Sequence, residues 1–232
     1  MENNYFSISS RSSAQVGSLM KSVYMWMTLA LGITGIVALY VSQNTMLMQS
    51  IFSNSIMFWG LMIAEFVLVM IISARIHRMA FSTALILFMV YSLINGLTLS
   101  VIFVIYTKAS VATTFFVTAG TFGVMSLIGF FTKKDLSKFG GILFMLLIGL
   151  VIATVVNIFW ANDSLYWIIT YAGVLIFVGL TVYDTNKIKR MLEMSPEENE
   201  MTQKIALLGA LTLYLDFINL FLYLLRLLGD RK

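Results

Sequence analysis

Residues 141–150 read Gly-Ile-Leu-Phe-Met-Leu-Leu-Ile-Gly-Leu, and this uninterrupted apolar run decides the class of fold. A strand that crosses a membrane alternates apolar and polar residues over about 10 positions, so the run favours a helix. The apolar character continues to residue 160, and a helix needs about 20 such residues to cross a bilayer. The segment therefore predicts one transmembrane helix.

The rest of the chain has the same character. Of the 232 residues 59% are hydrophobic and 11% are charged, and the mean hydropathy is +0.91. An ordinary soluble domain has about 25% charged residues, and a water-soluble fold of this length has too little interior for so much apolar surface. The sequence predicts seven spans, at about residues 23–41, 55–73, 81–106, 111–131, 141–160, 165–183 and 206–228.

These spans predict an all-α integral membrane protein, a seven-helix bundle forming a single domain over residues 19–232. Residues 1–18 are polar, rich in serine and without the apolar core of a signal peptide, so they are predicted to form a disordered tail. Eleven lysine and arginine residues fall on the side of the bundle that holds this tail, and four fall on the other side. By the positive-inside rule the N-terminus is cytoplasmic and the C-terminus lies outside.

Composition also excludes several kinds of site. The chain has no cysteine and a single histidine, His77, so cysteine metal sites and histidine-rich sites are ruled out. It contains no nucleophile elbow, P-loop or metalloprotease histidine pair, which indicates that it is not an enzyme and holds no cofactor. The small net charge of +4, split into clusters between apolar runs, argues against nucleic-acid binding.

The candidates for function are the charged residues at membrane depth, because each costs about 2.5 to 3.5 kcal/mol at a helix centre. Asp216 lies near the middle of the last span, with Asn219 and Tyr223 on the same side of the helix. Asp184 lies at the end of the sixth span, and antiparallel packing of the last two helices would bring the aspartates together. The alternatives are that Asp184 caps a helix end near Lys187 and that Asp216 is neutral and hydrogen-bonded.

Two neighbouring carboxylates titrate as a coupled unit, and when both are ionised they form a hard-oxygen site suited to Ca²⁺. Arg75 or Arg78, near the end of the second span, would compete for the same carboxylates as a salt-bridge latch. Glu65 in the second span and Asn95 in the third are candidates for lining a pore or cavity, as are Asn219 and Tyr223. Interhelical hydrogen bonding is the other interpretation of the third-span polar residues.

Glycine and serine recur every third residue in the fourth span. They are Gly120, Gly123, Ser126 and Gly129. Small residues at this spacing are typical of a surface on which two membrane helices pack closely.

Two stretches carry a resemblance to a known family. They are Tyr183-Asp-Thr-Asn-Lys-Ile-Lys189 and Tyr214-Leu-Asp-Phe-Ile-Asn-Leu-Phe-Leu-Tyr-Leu-Leu-Arg226, with weaker support from Phe131-Thr-Lys-Lys-Asp-Leu-Ser137 and Ser92-x-x-Asn95-Gly96. The chain resembles the Bax inhibitor-1 family, also called the transmembrane Bax inhibitor motif family, from about residue 20 to 229.

The resemblance implies a seven-helix bundle with the last helix near the centre and a pH-sensitive Ca²⁺ leak through it. It places the roles of proton and calcium sensor on Asp184 and Asp216, and that of the latch on Arg75 or Arg78. Bacterial members lie in the inner membrane, and some modulate a membrane-bound protease. The tail ending at Gly229-Asp-Arg-Lys232 is too short to match the lysine-rich animal type, so a bacterial inner-membrane protein is expected.

The leading functional hypothesis is thus a pH-sensitive Ca²⁺ leak whose partners are lipid, Ca²⁺ and protons. The alternative is a non-conducting regulator that binds other membrane proteins, such as a membrane protease, through the N-terminal tail or the acidic stretch at 191–204. A coupled secondary transporter would predict internally repeated, discontinuous helices, and the sequence has no such repeat.

Overall fold

The computed structural model describes residues 13–195 and 199–232. Nine helices form within these ranges: α1 (Ser13–Gln43), α2 (Thr45–Phe52), α3 (Ser55–Arg75), α4 (Phe81–Leu99), α5 (Ile102–Ile105), α6 (Lys108–Phe131), α7 (Ser137–Trp160), α8 (Asp163–Glu193) and α9 (Glu200–Leu228). Asparagine caps four of them. The side chains of Asn44, Asn54, Asn162 and Asn199 each accept a backbone N–H from the first turn that follows, which satisfies a donor that has no partner within the helix.

In the part of the chain that the structure describes, seven helical segments are long and apolar enough to cross a membrane, which confirms the predicted all-α membrane bundle. The last of them, α9, lies at the centre. In its most apolar 18-residue stretch 67% of the residues are buried, compared with 6% for both α3 and α7. Helices α1, α4, α6 and α8 all pack against α9, whereas α3 packs against α4 and α2 at the periphery.

Several helix ends differ from the predicted spans. The first helix begins at Ser13, so residues 13–18 of the tail predicted over 1–18 are helical, and residues 1–12 of that tail lie outside the described residues. Helix α8 continues past the predicted end at 183 to Glu193, so the connection to α9 is short. Hydropathy identifies only the part of a helix that lies in lipid, and the polar first turns of α1 and last turns of α8 extend beyond that part. The short helix α2, between the first two spans, was not predicted.

The two ends of the bundle differ in charge. We call the end where α3, α6 and α8 finish the basic end; it carries residues such as Arg75, Lys133 and Lys187. At this end the backbone N–H of Phe81 donates to Glu200 Oε1 over 2.9 Å, which joins the start of α4 to the start of α9. The basic end is thus held together by direct contacts between helix termini.

At the opposite end the last residues of the chain fold back onto the loop before α6. Tyr106 and Arg231 form an antiparallel bridge. The N–H of Thr107 donates to the carbonyl of Asp230 over 3.1 Å, and the N–H of Lys232 donates to the carbonyl of Ile105 over 2.9 Å. The end of α9 is therefore tied to the α5–α6 connection.

Candidate functional site

The two intramembrane aspartates meet at the interface of α8 and α9. Asp184 lies on α8 and is 9% exposed, and Asp216 lies on α9 and is 5% exposed. Their carboxyl groups lie close enough to interact with each other. A hydrogen bond between two carboxyl groups forms only when one of them carries a proton, because two ionised carboxylates have no hydrogen to donate.

One oxygen of the pair has no further partner. Asp216 Oδ2 is buried and receives no hydrogen bond from any donor group in the described ranges. A buried oxygen without a donor is costly in an apolar interior, and such exceptions in a native structure call for an explanation such as an unseen water or ion. The oxygen is therefore available to a proton, a water molecule or a cation.

Glycines allow α8 and α9 to approach closely on both sides of the aspartates. A Cβ atom at Gly173 would lie 2.6 Å from the ring of Tyr223, and one at Gly209 would lie 2.8 Å from Ile188. Both distances are shorter than a normal carbon–carbon contact of about 3.5 to 4.0 Å. The small residues therefore fix the helix separation at which two short aspartate side chains can touch.

The aspartate pair lies on the wall of a cavity of about 610 Å³ between α7, α8 and α9. Apolar residues of α7, such as Leu147, form the facing wall. Lys187, one turn from Asp184 towards the basic end, also lines the cavity, and its charge acts on the Asp184 carboxyl. The cavity thus combines an acidic centre with one basic residue, a few uncharged polar side chains such as Asn219, and an apolar wall.

Asn219 and Tyr223, predicted as lining residues, both line this cavity. Asn219 Nδ2 donates to the carbonyl of Leu215 in its own helix over 2.8 Å. The ring of Tyr223 stacks on Phe177 with 5.8 Å between centroids, and the Arg226 guanidinium lies 5.3 Å from the Tyr223 ring centroid. This stack forms the wall of the cavity on the side away from the basic end.

Glu65 and Asn95 belong to a second polar cluster on another side of α9. Thr98 Oγ1 donates to Glu65 Oε1 over 2.6 Å, and Asn95 Nδ2 lies 3.3 Å from Glu65 Oε2. Tyr214 of α9 donates to Asn95 Oδ1 over 2.9 Å, and its hydroxyl lies 2.7 Å from Thr34 of α1. These bonds join four helices, and neither Glu65 nor Asn95 lines the cavity of the aspartates.

Sequence reasoning did not single out Thr34 or Tyr214 for this cluster. Tyr214 lies two residues before Asp216, which places the two side chains on different sides of the helix. A tyrosine hydroxyl at membrane depth needs a hydrogen-bond partner, and that requirement was the available signal. Its partners on α1 and α4 depend on how the helices are arranged, which one sequence does not show.

The structure does not bring Arg75 or Arg78 to the aspartates. Both are exposed at the end of α3, and neither forms an ion pair with a carboxylate of the described residues. His77 lies between them, and its Nδ1 is 3.3 Å from the sulfur of Met201. The basic residue that acts on Asp184 in this conformation is Lys187.

Within residues 13–195 and 199–232, no three or more histidine, cysteine, aspartate or glutamate side chains cluster in a way that would hold a metal ion. The aspartate pair supplies two carboxylates, whereas Ca²⁺ takes about 6–8 oxygen ligands. The two carboxyl groups alone therefore supply too few ligands to complete a Ca²⁺ shell.

The comparisons with known proteins agree with this architecture. A family model described as inhibitor of apoptosis-promoting Bax1 matches residues 16–232. The inner membrane protein YbhL of Escherichia coli strain K12 is 50% identical over 220 residues, which cover 94% of each chain. Uncharacterized proteins of Borreliella burgdorferi and Rickettsia prowazekii are 44% and 42% identical, over 90% and 92% of this chain and 90% and 89% of their own. The chain belongs to the Bax inhibitor-1 family.

Proposed function

We propose that this protein is a pH-sensitive Ca²⁺ leak of the bacterial inner membrane, gated by the coupled carboxyl groups of Asp184 and Asp216. The observation that carries the proposal is the contact of these two buried carboxyls on the wall of a 610 Å³ cavity. Charged side chains at this depth are costly, and those that occur typically face a cavity or a partner and mark an ion or proton path. No catalytic role is proposed for any residue.

The shared proton supplies the pH dependence. While the proton is present, the pair carries a single negative charge and the carboxyls hold α8 and α9 together. Loss of the proton leaves two like charges in contact, which repel each other and attract a divalent cation. Proton binding and Ca²⁺ binding therefore compete for the same oxygens, among them Asp216 Oδ2.

This scheme requires only weak binding of Ca²⁺ by the aspartate pair. Two carboxylates with water completing the shell hold Ca²⁺ less tightly than a full protein cage. Weak binding suits passage, because an ion that binds too tightly does not leave. The latch by Arg75 or Arg78 remains a proposal for another conformation, in which α3 would move towards the aspartates.

Purified protein in liposomes with a trapped calcium dye provides the test. Ca²⁺ entry should change across pH 5 to 8 for the wild type and should lose that dependence in Asp184→Asn and in Asp216→Asn. Asp163→Asn, at the exposed start of α8, is the matched control and should behave like the wild type. Ca²⁺ entry that is equally pH-dependent in all four proteins would contradict the assignment of the pair.

The non-conducting regulator would be favoured if vesicles that hold folded protein show no protein-dependent Ca²⁺ entry at any pH.

The stretch at 191–204 is less free to act as the binding segment of such a regulator than the sequence indicated. Residues up to Glu193 and from Glu200 onwards are helical, and Glu200 is bonded to Phe81 and to Lys204.

We further propose that the basic end faces the cytoplasm, on the basis of its lysine and arginine content. The printed name of YbhL supports the inner membrane as the location. The chain has no cysteine, so single cysteines report topology cleanly. In intact cells an impermeant maleimide should label Ser164→Cys and leave Lys134→Cys unlabelled. Labelling of Lys134→Cys alone would reverse the orientation.

A further inference from the structure

A groove of about 550 Å³ runs between α1 and α6 near the basic end, separate from the aspartate cavity. Helix α1 packs against α4 and α9, and α6 packs against α8 and α9. Helices α1 and α6 therefore form the two walls of this groove, which is open to the lipid. Apolar side chains such as Met20, Met27 and Phe122 line it. A volume of this size lies within the range of about 300–1,000 Å³ that is typical of small-ligand sites.

Glycines keep the groove open. A Cβ atom added at Gly17 or at Gly123 would meet no atom within 4 Å, although both residues line the groove. Tyr24 of α1 and Ser126 of α6 both line the groove, and Thr185 Oγ1 of α8 donates to Ser126 Oγ over 3.4 Å. The open space is therefore bounded by α1 and α6 and has two polar side chains in its lining.

The mouth of the groove is positively charged. Lys21 lines it, and Lys133 and Lys134 follow Phe131, the last lining residue of α6. None of these three lysines forms an ion pair with a carboxylate in the described part of the chain. All three are exposed. Their charges are therefore available to a ligand at the membrane surface.

The acidic residues near this mouth already have basic partners. Asp135 lies 3.8 Å from Arg190 Nη1, and Glu193 lies 3.6 Å from Lys189 Nζ. Lys189 Nζ also lies 5.4 Å from the centroid of Phe130, another lining residue. The balance of charge around the mouth is positive, so it complements an anion.

We propose that this groove is a binding site for one anionic phospholipid. One acyl chain occupies the space between α1 and α6, and the headgroup phosphate contacts Lys21, Lys133 and Lys134. Basic pockets between transmembrane helices near the cytoplasmic surface bind anionic headgroups by this chemistry. The site is independent of the proposed Ca²⁺ leak, since none of its lining residues belongs to the aspartate cavity.

The test uses the full-length protein purified in detergent and analysed by native mass spectrometry after incubation with phosphatidylglycerol or phosphatidylcholine of identical acyl chains. One phosphatidylglycerol should remain bound, whereas phosphatidylcholine should dissociate. Because a surface lysine contributes about 1 kcal/mol to binding an anionic membrane, each Lys→Gln change at 21, 133 or 134 should weaken binding by roughly fivefold. Lys108→Gln, at the opposite end, is the matched control and should retain the lipid.

A second pair of variants tests the chain rather than the headgroup. Gly123→Leu fills the groove without changing charge and should abolish retention, while Gly120→Leu, one turn away and outside the groove, should leave it intact. If Gly123→Leu fails to purify, the lysine series decides alone. Equal retention of both lipids, wild-type retention by the triple lysine variant, or a second copy of the chain in place of the lipid would overturn the proposal.

Discussion

Replacing Gly129 by alanine should destabilise the bundle, because α6 and α8 are in close contact at this glycine. A Cβ atom at Gly129 would collide with the backbone carbonyl oxygen of Val182 and would lie 3.0 Å from the Cβ of Thr185. Neither atom is the far end of a flexible side chain. One of the two helices must therefore shift.

The size of the effect follows from two opposing contributions. Overpacking costs about 1–3 kcal/mol, whereas alanine in place of glycine inside a helix gains about 0.8–1.0 kcal/mol. The control is Gly120→Ala on the same helix, where an added Cβ meets nothing within 4 Å and only the gain applies. Because the helix-propensity gain is common to both variants, the free energies of unfolding should differ by about 1–3 kcal/mol.

The assay is reversible unfolding in mixed micelles, with SDS as denaturant and far-UV circular dichroism as the readout. Gly129→Ala should unfold at a lower SDS fraction than Gly120→Ala, and Gly120→Ala should match or exceed the wild type. If the two variants unfold together, the close approach of α6 and α8 described above is not present in the folded protein. Because Val182 and Thr185 flank Asp184, the same change should also disturb the carboxyl pair.

Three further predictions concern other contacts. Tyr214→Phe removes two interhelical hydrogen bonds. Such bonds average about 0.6 kcal/mol each in membranes, so this change should lower the free energy of unfolding by about 1 kcal/mol. The control is Tyr40→Phe, at a residue that is 65% exposed, and it should leave the free energy of unfolding unchanged. Tyr223→Ala removes the aromatic wall of the aspartate cavity and should increase Ca²⁺ entry into liposomes at neutral pH, whereas Tyr40→Ala should leave it unchanged. Hydrogen bonds from the hydroxyl and backbone N–H of Ser137 hold the pKa of Asp135 below its usual value. That stabilisation is present above the unfolded pKa of about 4 and is lost as the pH falls through the lower folded value, so the unfolding midpoints of wild type and Asp135→Asn should converge in acid.

The spans could be predicted from the sequence because lipid imposes a minimum apolar length on each of them. The polar ends of α1 and α8 could not, since beyond the bilayer a helix is stabilised by local contacts that leave no mark in hydropathy. Helix α8 consequently runs nine residues past Asp184 and places that residue inside a helix, not at its end. Burial of α9 was predictable from its intramembrane polar residues.

The site was predictable in its components and less so in its contacts. Asp184 and Asp216 stand out by the cost of burying charge. Their distance depends on the close approach of two helices, which Gly173 and Gly209 allow, and one sequence does not show which neighbour a glycine faces. The glycine repeat in α6 makes the same point, because only Gly129 among its glycines is in close contact.

The position of α9 at the centre of the bundle has a consequence for biosynthesis. The helix around which the others pack leaves the ribosome after all the other helices described above. At about 5–20 residues per second, the first helix waits many seconds in the membrane before its main partner is made. Until then the inner faces of the earlier helices, with their threonine and tyrosine hydroxyls, must be hydrated, lipid-covered or shielded by the insertion machinery. A chain that terminates before α9 therefore lacks the core of the protein and leaves the polar inner faces of the other helices without their main partner.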